Sequence, residues 1–365
     1  MSSLFSPLAI RDLTFRNRLW VAPMCQYSVE RHDGVPTEWH LVHLGAFATG
    51  GAGLIITEAT AVSPEGRISP HDTGIWNDEQ VEAWARIAAF IRAQGAVAGI
   101  QLAHAGRKAS TWRPWSGKHG TVAVDEGGWE PVAPSAIAFD GYATPRELET
   151  AEVTAIVDDF VAAARRSVDA GFQLLEIHAA HGYLIHQFLS PLSNTRTDQY
   201  GGSLENRARL VLDIVRAVRA AVSDEVALLV RFSATDWADD GWDVEQTATV
   251  ADWAVAAGAD LFDISTGGLV GGVHIPLAPG YQVPFAERVR DATNAPVSAV
   301  GLITQAQQAE DVIASGKADA VMMAREMLRD PHFPLRAAAE LGVELDYYPP
   351  QYVRGKFPLA SGPVA

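Results

Sequence analysis

The chain carries a single cysteine, Cys25, among its 365 residues, so it can form no internal disulfide. That suits a reducing compartment, and the expected location is the cytoplasm. No apolar run approaches the ~18 residues of a membrane span, and the opening segment MSSLFSPLAIRDLTF lacks the basic stretch and apolar core of a secretory signal. Positive charge is scarce: 28 Lys and Arg stand against 44 Asp and Glu, a net charge of −16. A field of that sign disfavours nucleic acid and anionic membrane as partners, and any bound phosphate must be held by a local site. Charged residues make up only 20% of the chain and hydrophobic residues 48%, which excludes a disordered polymer and supports a large buried core.

What the sequence does hold is an alternation. Short, nearly apolar runs at 19–23, 53–58, 97–102, 173–178, 226–232, 260–265, 296–300 and 318–323 predict strands covered on both faces. Helical patterns follow them at 38–48, 78–94, 150–170, 204–221, 243–257, 281–292, 305–315 and 331–341. Ser203 is placed to cap its helix, and Gly95, Gly171 and Gly258 stand where helices should stop. Eight such units predict an α/β protein, a (β/α)8 TIM barrel forming one domain over 1–365. Two segments break the rhythm. Residues 104–149, rich in Gly, Pro and Trp, separate the third strand from its helix and are expected to form a capping lid. Residues 342–365 hold too much Pro and Gly for a helix, and are expected to cover the barrel mouth or meet a neighbouring subunit.

In such a barrel the chemistry gathers at the C-terminal ends of the strands. Here those ends read Pro23-Met24-Cys25, Glu58-Ala59, Gln101 to His104, His178 to His181, Arg231, Ser265, Val300-Gly301 and Ala324-Arg325. The last two are where barrels of this kind bind phosphate: glycine lets backbone amides approach the anion, and a guanidinium adds a bidentate contact. His178, His181 and Tyr183 share the segment HAAHGYL, and two readings stay open. The two imidazoles with a carboxylate would form a metal centre for a hydrolase or lyase, although zinc normally takes at least three protein ligands. Alternatively the imidazoles donate N–H groups to a substrate oxygen and the tyrosine supplies a proton. Arg231 closes the apolar run VALLVRF, where a guanidinium is costly unless it meets an anionic or electron-rich ligand, or an internal partner such as Glu176 or Asp263. Cys25, taken alone, reads as a small hydrophobe.

As a series, these segments resemble the Old Yellow Enzyme family of flavin-dependent ene-reductases, in its bacterial NADPH dehydrogenase and xenobiotic reductase branch. LFSPLAIRDLTFRNRLWVAPMCQYS resembles the family's first strand and GIQLAHAGRKAS its third strand end. HAAHGYLIHQFLSPLSNTRTDQYGGSLENRARL is the most specific block, and VRFSATDW, ISTGG, AVGLI and VMMAREMLRDPHFP complete the series. The resemblance implies non-covalently bound FMN, with NADPH (or NADH) as reductant and small activated alkenes as substrates. Ala22, Pro23, Met24 and Cys25 would lie along the flavin, the thiol tuning its potential. Ala59 and Gln101 would contact the ring, and Arg231 would stand by its N1–C2 side. Val300, Gly301, Ala324 and Arg325 would hold the phosphate. His178 and His181 would bind the substrate oxygen, and Tyr183 would protonate the α-carbon. Tyr27 and Lys108 would line the substrate site. Arg354, in the tail motif QYVRGKF, matches an arginine that reaches a neighbouring subunit's site in some relatives, which implies a homodimer or homotetramer. Lys356 departs from the tryptophan common at its place. Larger flavin barrels with an iron–sulfur cluster need several cysteines, and one cysteine excludes that cluster.

Overall fold

The computed structural model describes residues 2–360. Eight strands, β1 (Leu19–Val21), β2 (Leu54–Ala61), β3 (Val97–Ala103), β4 (Leu174–Ala179), β5 (Ala227–Ser233), β6 (Leu261–Ser265), β7 (Val297–Ala299) and β8 (Ala320–Met323), close into a barrel. Every pairing is parallel, and Val321 opposite Leu19 joins β8 to β1. The predicted strands are all present. β2 runs past its predicted end because its register slips between Ile56 and Ala59, a bulge that periodicity does not reveal.

Around the barrel lie α1 (Glu38–Thr49), α2 (Asp78–Ala93), α3 (Thr150–Asp169), α4 (Leu184–Leu189), α5 (Leu204–Ala221), α6 (Val244–Ala257), α7 (Val283–Thr293), α8 (Ala306–Ala314), α9 (Arg325–Arg329) and α10 (Phe333–Glu340). Ser203 caps α5 as expected, its hydroxyl accepting from the Asn206 amide. The short helices α4 and α9 were not predicted; both follow strand ends directly. Strand faces turned outward pack with these helices into one continuous apolar core, including Trp84, Phe160 and Phe262.

The barrel's lower interior is filled by a second cluster, among it Trp20, Leu54, Leu174, Leu229, Leu261 and Met322. A hairpin of Leu8–Ile10 with Leu13–Phe15 packs onto it and plugs the N-terminal end. With that end sealed, the C-terminal end is the mouth. Residues 104–149 stand outside the strand–helix alternation. They hold 3-10 turns and a small ribbon of Val132–Ala133 with Arg146–Glu147.

One expectation for the tail does not hold within this chain: it does not cover the mouth. Asn17 Nδ2, just before β1, donates to the Tyr347 hydroxyl at 3.0 Å, and the Arg16 guanidinium lies 4.5 Å from the Tyr347 ring centre. These contacts hold the tail at the plugged end, where Ala360 N bonds to Ala339 O. Tail residues 361–365 lie outside the described residues. Among the described residues no helix is long and apolar enough to cross a membrane.

Candidate active site

β1 delivers Ala22 and Pro23 to the mouth, with the Ala22 amide bonded to Met323 O of β8. Buried Glu58, at the bulge of β2, pins the next turn. Its Oε2 accepts from the Gln26 amide at 2.9 Å, and its Oε1 lies 3.0 Å from His40 Nε2. Cys25 and Tyr27 thereby join an apolar cluster with Ala59, Ala103, Trp129 and Tyr183. Burial first, then the carboxylates of Asp72 and Glu58, push the Cys25 thiol well up. It is therefore a neutral polarisable group at pH 7, not a thiolate nucleophile.

The end of β4 carries three rings in contact. His178 lies 5.2 Å from His181 and 5.1 Å from Tyr183, centre to centre. His181 sits in the left-handed region at φ 58°, held by its amide on Ser233 Oγ at 2.9 Å. Its Nε2 is 2.8 Å from Ser265 Oγ, which leaves Nδ1 free of that contact. His178 Nδ1 is buried without a hydrogen-bond partner among the described residues. Burial, reinforced by Arg231, pushes both imidazoles well below their usual range, so both are neutral near pH 7 and can offer one N–H each. Burial pushes the Tyr183 phenol well up, so it keeps its proton.

Lys108 braces this group. Its Nζ donates to His181 O at 2.9 Å and to Gly268 O at 3.0 Å, and it lies 5.1 Å from the Tyr183 ring centre. Burial lowers its ammonium to about 8. Gly268 is required for that approach, since a Cβ there would come within 2.7 Å of His181 Cα.

Across the mouth, Arg231 Nε pairs with Asp263 Oδ2 at 2.8 Å, and Ser298 Oγ donates to Asp263 Oδ1 at 2.9 Å. The internal partner anticipated for Arg231 is thus Asp263, one strand over in register. Among the described residues the terminal guanidinium nitrogens make no hydrogen bond. Gln101 Nε2 donates to Glu176 Oε1, its opposite on β4.

At the ends of β7 and β8 an open cleft of about 780 Å³ is lined by Val300, Gly301, Ala324 and Arg325, together with Ser265, Tyr281, Gln282 and Arg329. Gly301 adopts φ 124°, and a Cβ there would come within 3.0 Å of the Gln282 side chain. Gln282 in turn donates to Val300 O and accepts from Thr266 Oγ1, fixing the wall of the cleft. α9 opens at Arg325, and Ala324, Arg325 and Glu326 line this space. Arg325 is exposed and, among the described residues, has neither a hydrogen bond nor an ion pair from its guanidinium.

The mouth thus gathers Ala22 to Cys25, Tyr27, Ala59, Gln101, Lys108, His178, His181, Tyr183, Arg231 and the two phosphate-type ends. Arg354 is not among them: it lies exposed on the tail at the plugged end. Residues that sequence reasoning missed come from the insertion and from the loop before α7. Trp115 packs edge-on against Tyr27 at 6.0 Å, and Phe139 lies 4.6 Å from Lys108 Nζ. Their only signal was the aromatic richness of the insertion; Gln282 had none. Among the described residues no group of three His, Cys, Asp or Glu side chains is placed to hold a metal ion, so His178 and His181 lack the third ligand that the metal alternative requires.

A model of the NADH:flavin oxidoreductase / NADH oxidase family matches residues 3–344. An NADPH dehydrogenase of Listeria innocua is 48% identical over 355 residues, covering 97% of this chain and 99% of the relative. The structure of an old yellow enzyme homologue from Zymomonas mobilis superposes with a TM-score of 0.77 at 29% identity, covering 97% of this chain and 98% of that one. Morphinone reductase does so with a TM-score of 0.76 at 30% identity, covering 96% and 92%. A flavin family, a barrel open at one end and a cleft at the ends of β7 and β8 agree with one another: the chain belongs to the NADH:flavin oxidoreductase / NADH oxidase family, in its Old Yellow Enzyme branch, and is a flavin-dependent oxidoreductase.

Proposed function

We propose that this flavin enzyme is an ene-reductase. FMN is its cofactor and NADPH its reductant, as in the NADPH dehydrogenases it resembles. The residues of the mouth fit the cofactor. The Gly301 cradle and an Arg325 guanidinium without a partner among the described residues suit a phosphate dianion, and the open guanidinium end of Arg231 suits an electron-rich ring edge. Val300 and Ala324 would complete the phosphate site; Ala22, Pro23, Met24, Cys25, Ala59 and Gln101 would border the ring. The redox chemistry FMN supplies there is transfer of hydride from NADPH to the β-carbon of an α,β-unsaturated carbonyl or nitro compound.

The chain's own residues carry the rest. His178 and His181 would donate to the substrate oxygen, where charge develops and two fixed donors gain strength. Tyr183 would hold its proton on the phenol oxygen until the α-carbon can take it. Tyr27 and Lys108 would shape the substrate space, and residues 104–149 would act as its lid, excluding water. The observation that carries this reading is the three-ring cluster at the end of β4: His178 buried, His181 and Tyr183 partly buried, and all three neutral and supplied with protons. Arg354 would reach a substrate site only in a second copy, in a homodimer or homotetramer, and a cytoplasmic location suits the one-cysteine sequence.

Stopped-flow kinetics of the two half-reactions test the assignment. Tyr183→Phe should leave reduction of the bound flavin by NADPH within about twofold, while slowing re-oxidation by cyclohexenone by about 10² to 10⁴, the usual worth of a general acid. Equal loss in both halves would remove Tyr183 from the proton-donor role.

A further inference from the structure

Glu176 is a fully buried carboxyl group on β4 that the proposed chemistry does not use. Its Oε1 accepts from Gln101 Nε2, and its Oε2 has no hydrogen-bond partner among the described residues. The groups facing it are Gln101 on β3, His178 on its own strand, Arg231 on β5 and Asp263 on β6. His178 is neutral, so two carboxyl groups share one guanidinium inside the barrel. Ionising both would leave uncompensated negative charge in a low-dielectric interior. Asp263 has the better claim to be ionised: it holds the 2.8 Å pair with Arg231 and the Ser298 hydroxyl. Of the two carboxyl groups, Glu176 is therefore the one that takes up a proton first as pH falls.

We propose that Glu176 is a redox-linked proton site, taking a proton from solvent when the flavin is reduced and returning it when the flavin is re-oxidised. The inference rests on the assignment of Gln101 and Arg231 to the flavin. Hydride from NADPH brings two electrons and one proton to the cofactor and leaves it an added negative charge. That charge draws on the Arg231 guanidinium, which otherwise offsets the negative charge of Glu176. In the pH range where Glu176 is still ionised beside oxidised flavin, at or above about 8, the carboxylate then becomes costlier, and a solvent proton adds to Oε2, turning it into a carboxylic acid. The electrons stay with the flavin, and the charge of the solvent proton balances the charge gained. Burial and Asp263 already push the Glu176 carboxyl to about 8, so the exchange falls in an accessible range.

The midpoint potential of the FMN-loaded protein, followed from about pH 6 to about pH 10, tests this. One proton per two electrons gives a slope of about 30 mV per pH unit, and a second proton doubles it. Wild type should show the doubled slope in a window at or above about pH 8, with the single slope on either side. Glu176→Gln should show the single slope throughout, and in a weakly buffered indicator solution it should lose the solvent proton uptake that accompanies reduction in that window. An identical steep window in Glu176→Gln overturns the proposal. Should that variant fail to retain FMN, Asp263→Asn decides. Removing the neighbouring negative charge should move the window to lower pH, and an unmoved window is equally fatal. Potentials of Gln101→Leu and Arg231→Lys separate the two levels of the argument. If neither changes, the flavin-side assignment fails; if they change while Glu176→Gln keeps the wild-type profile, only this inference does.

Discussion

Arg325 is a guanidinium at the mouth with no partner among the described residues, in a chain whose acidic residues outnumber its basic ones by 44 to 28. Against that field a phosphate needs a dedicated cation, and a bidentate, charge-assisted contact is the efficient form. Arg325→Ala should weaken FMN binding by about ten- to a hundredfold. Fluorescence titration of the apoprotein checks it, and full flavin occupancy after dialysis would count against the phosphate site. Cys25 makes a subtler case, because its thiol is protonated and partly buried at the mouth. Cys25→Ala should retain FMN and shift its potential; an unchanged potential would reduce the thiol to packing. Both residues were legible in the sequence because strand ends can be counted. The proton on Glu176 was not, since it depends on Asp263, two strands away around the barrel. No local pattern links those positions.

At the scale of elements, legibility followed length. The eight strands and eight longer helices declared themselves through apolar runs and repeated apolar faces. α4 and α9, of six and five residues, are too short for a helical period to register, yet they carry the residues after His181 and those beginning at Arg325. The insertion was legible as an interruption, but its attachment was not. Arg107 makes that attachment: Nη2 donates to Leu269 O at 2.6 Å, in the loop after β6, and Nη1 to Ile137 O at 3.2 Å, within the insertion. Arg107→Ala should therefore loosen the insertion without unfolding the barrel. The expected result is a rise of about tenfold in KM for cyclohexenone, with a smaller change in kcat and faster proteolytic cleavage within residues 104–149. Unchanged KM and cleavage would mean that the insertion is held elsewhere.

For the whole molecule, buried acids of opposite tendency set the response to pH. Burial works against the Asp236 carboxylate, yet His186, Ser190 and the Trp242 amide outweigh it and hold the group below its usual range. Asp236 binds protons more weakly in the folded protein than in the unfolded chain. Its stabilisation is therefore complete above the unfolded value of about 3.9 and is lost as pH falls through the folded one. Glu176 has the opposite sign. The folded protein holds its proton up to about 8, so its stabilisation is complete below the unfolded value and declines as pH rises from about 4 towards about 8. Asp263 and Asp72, raised by burial, act in the same direction as Glu176. His43, His104, His178 and His181, all held below their usual range by burial, steepen the acid limb, because the unfolded chain takes up their protons as pH falls below about 6.5 and the folded protein does not; the optimum therefore lies near neutrality. The urea midpoint of the FMN-loaded protein should peak between about pH 6 and about pH 7 and fall on both sides. Glu176→Gln should flatten the neutral limb and leave the acid limb in place, while Asp236→Asn should lower the midpoint at pH 7 and weaken the acid limb. A wild-type peak above about pH 8 would show that these carboxyl groups do not hold their protons in the folded barrel.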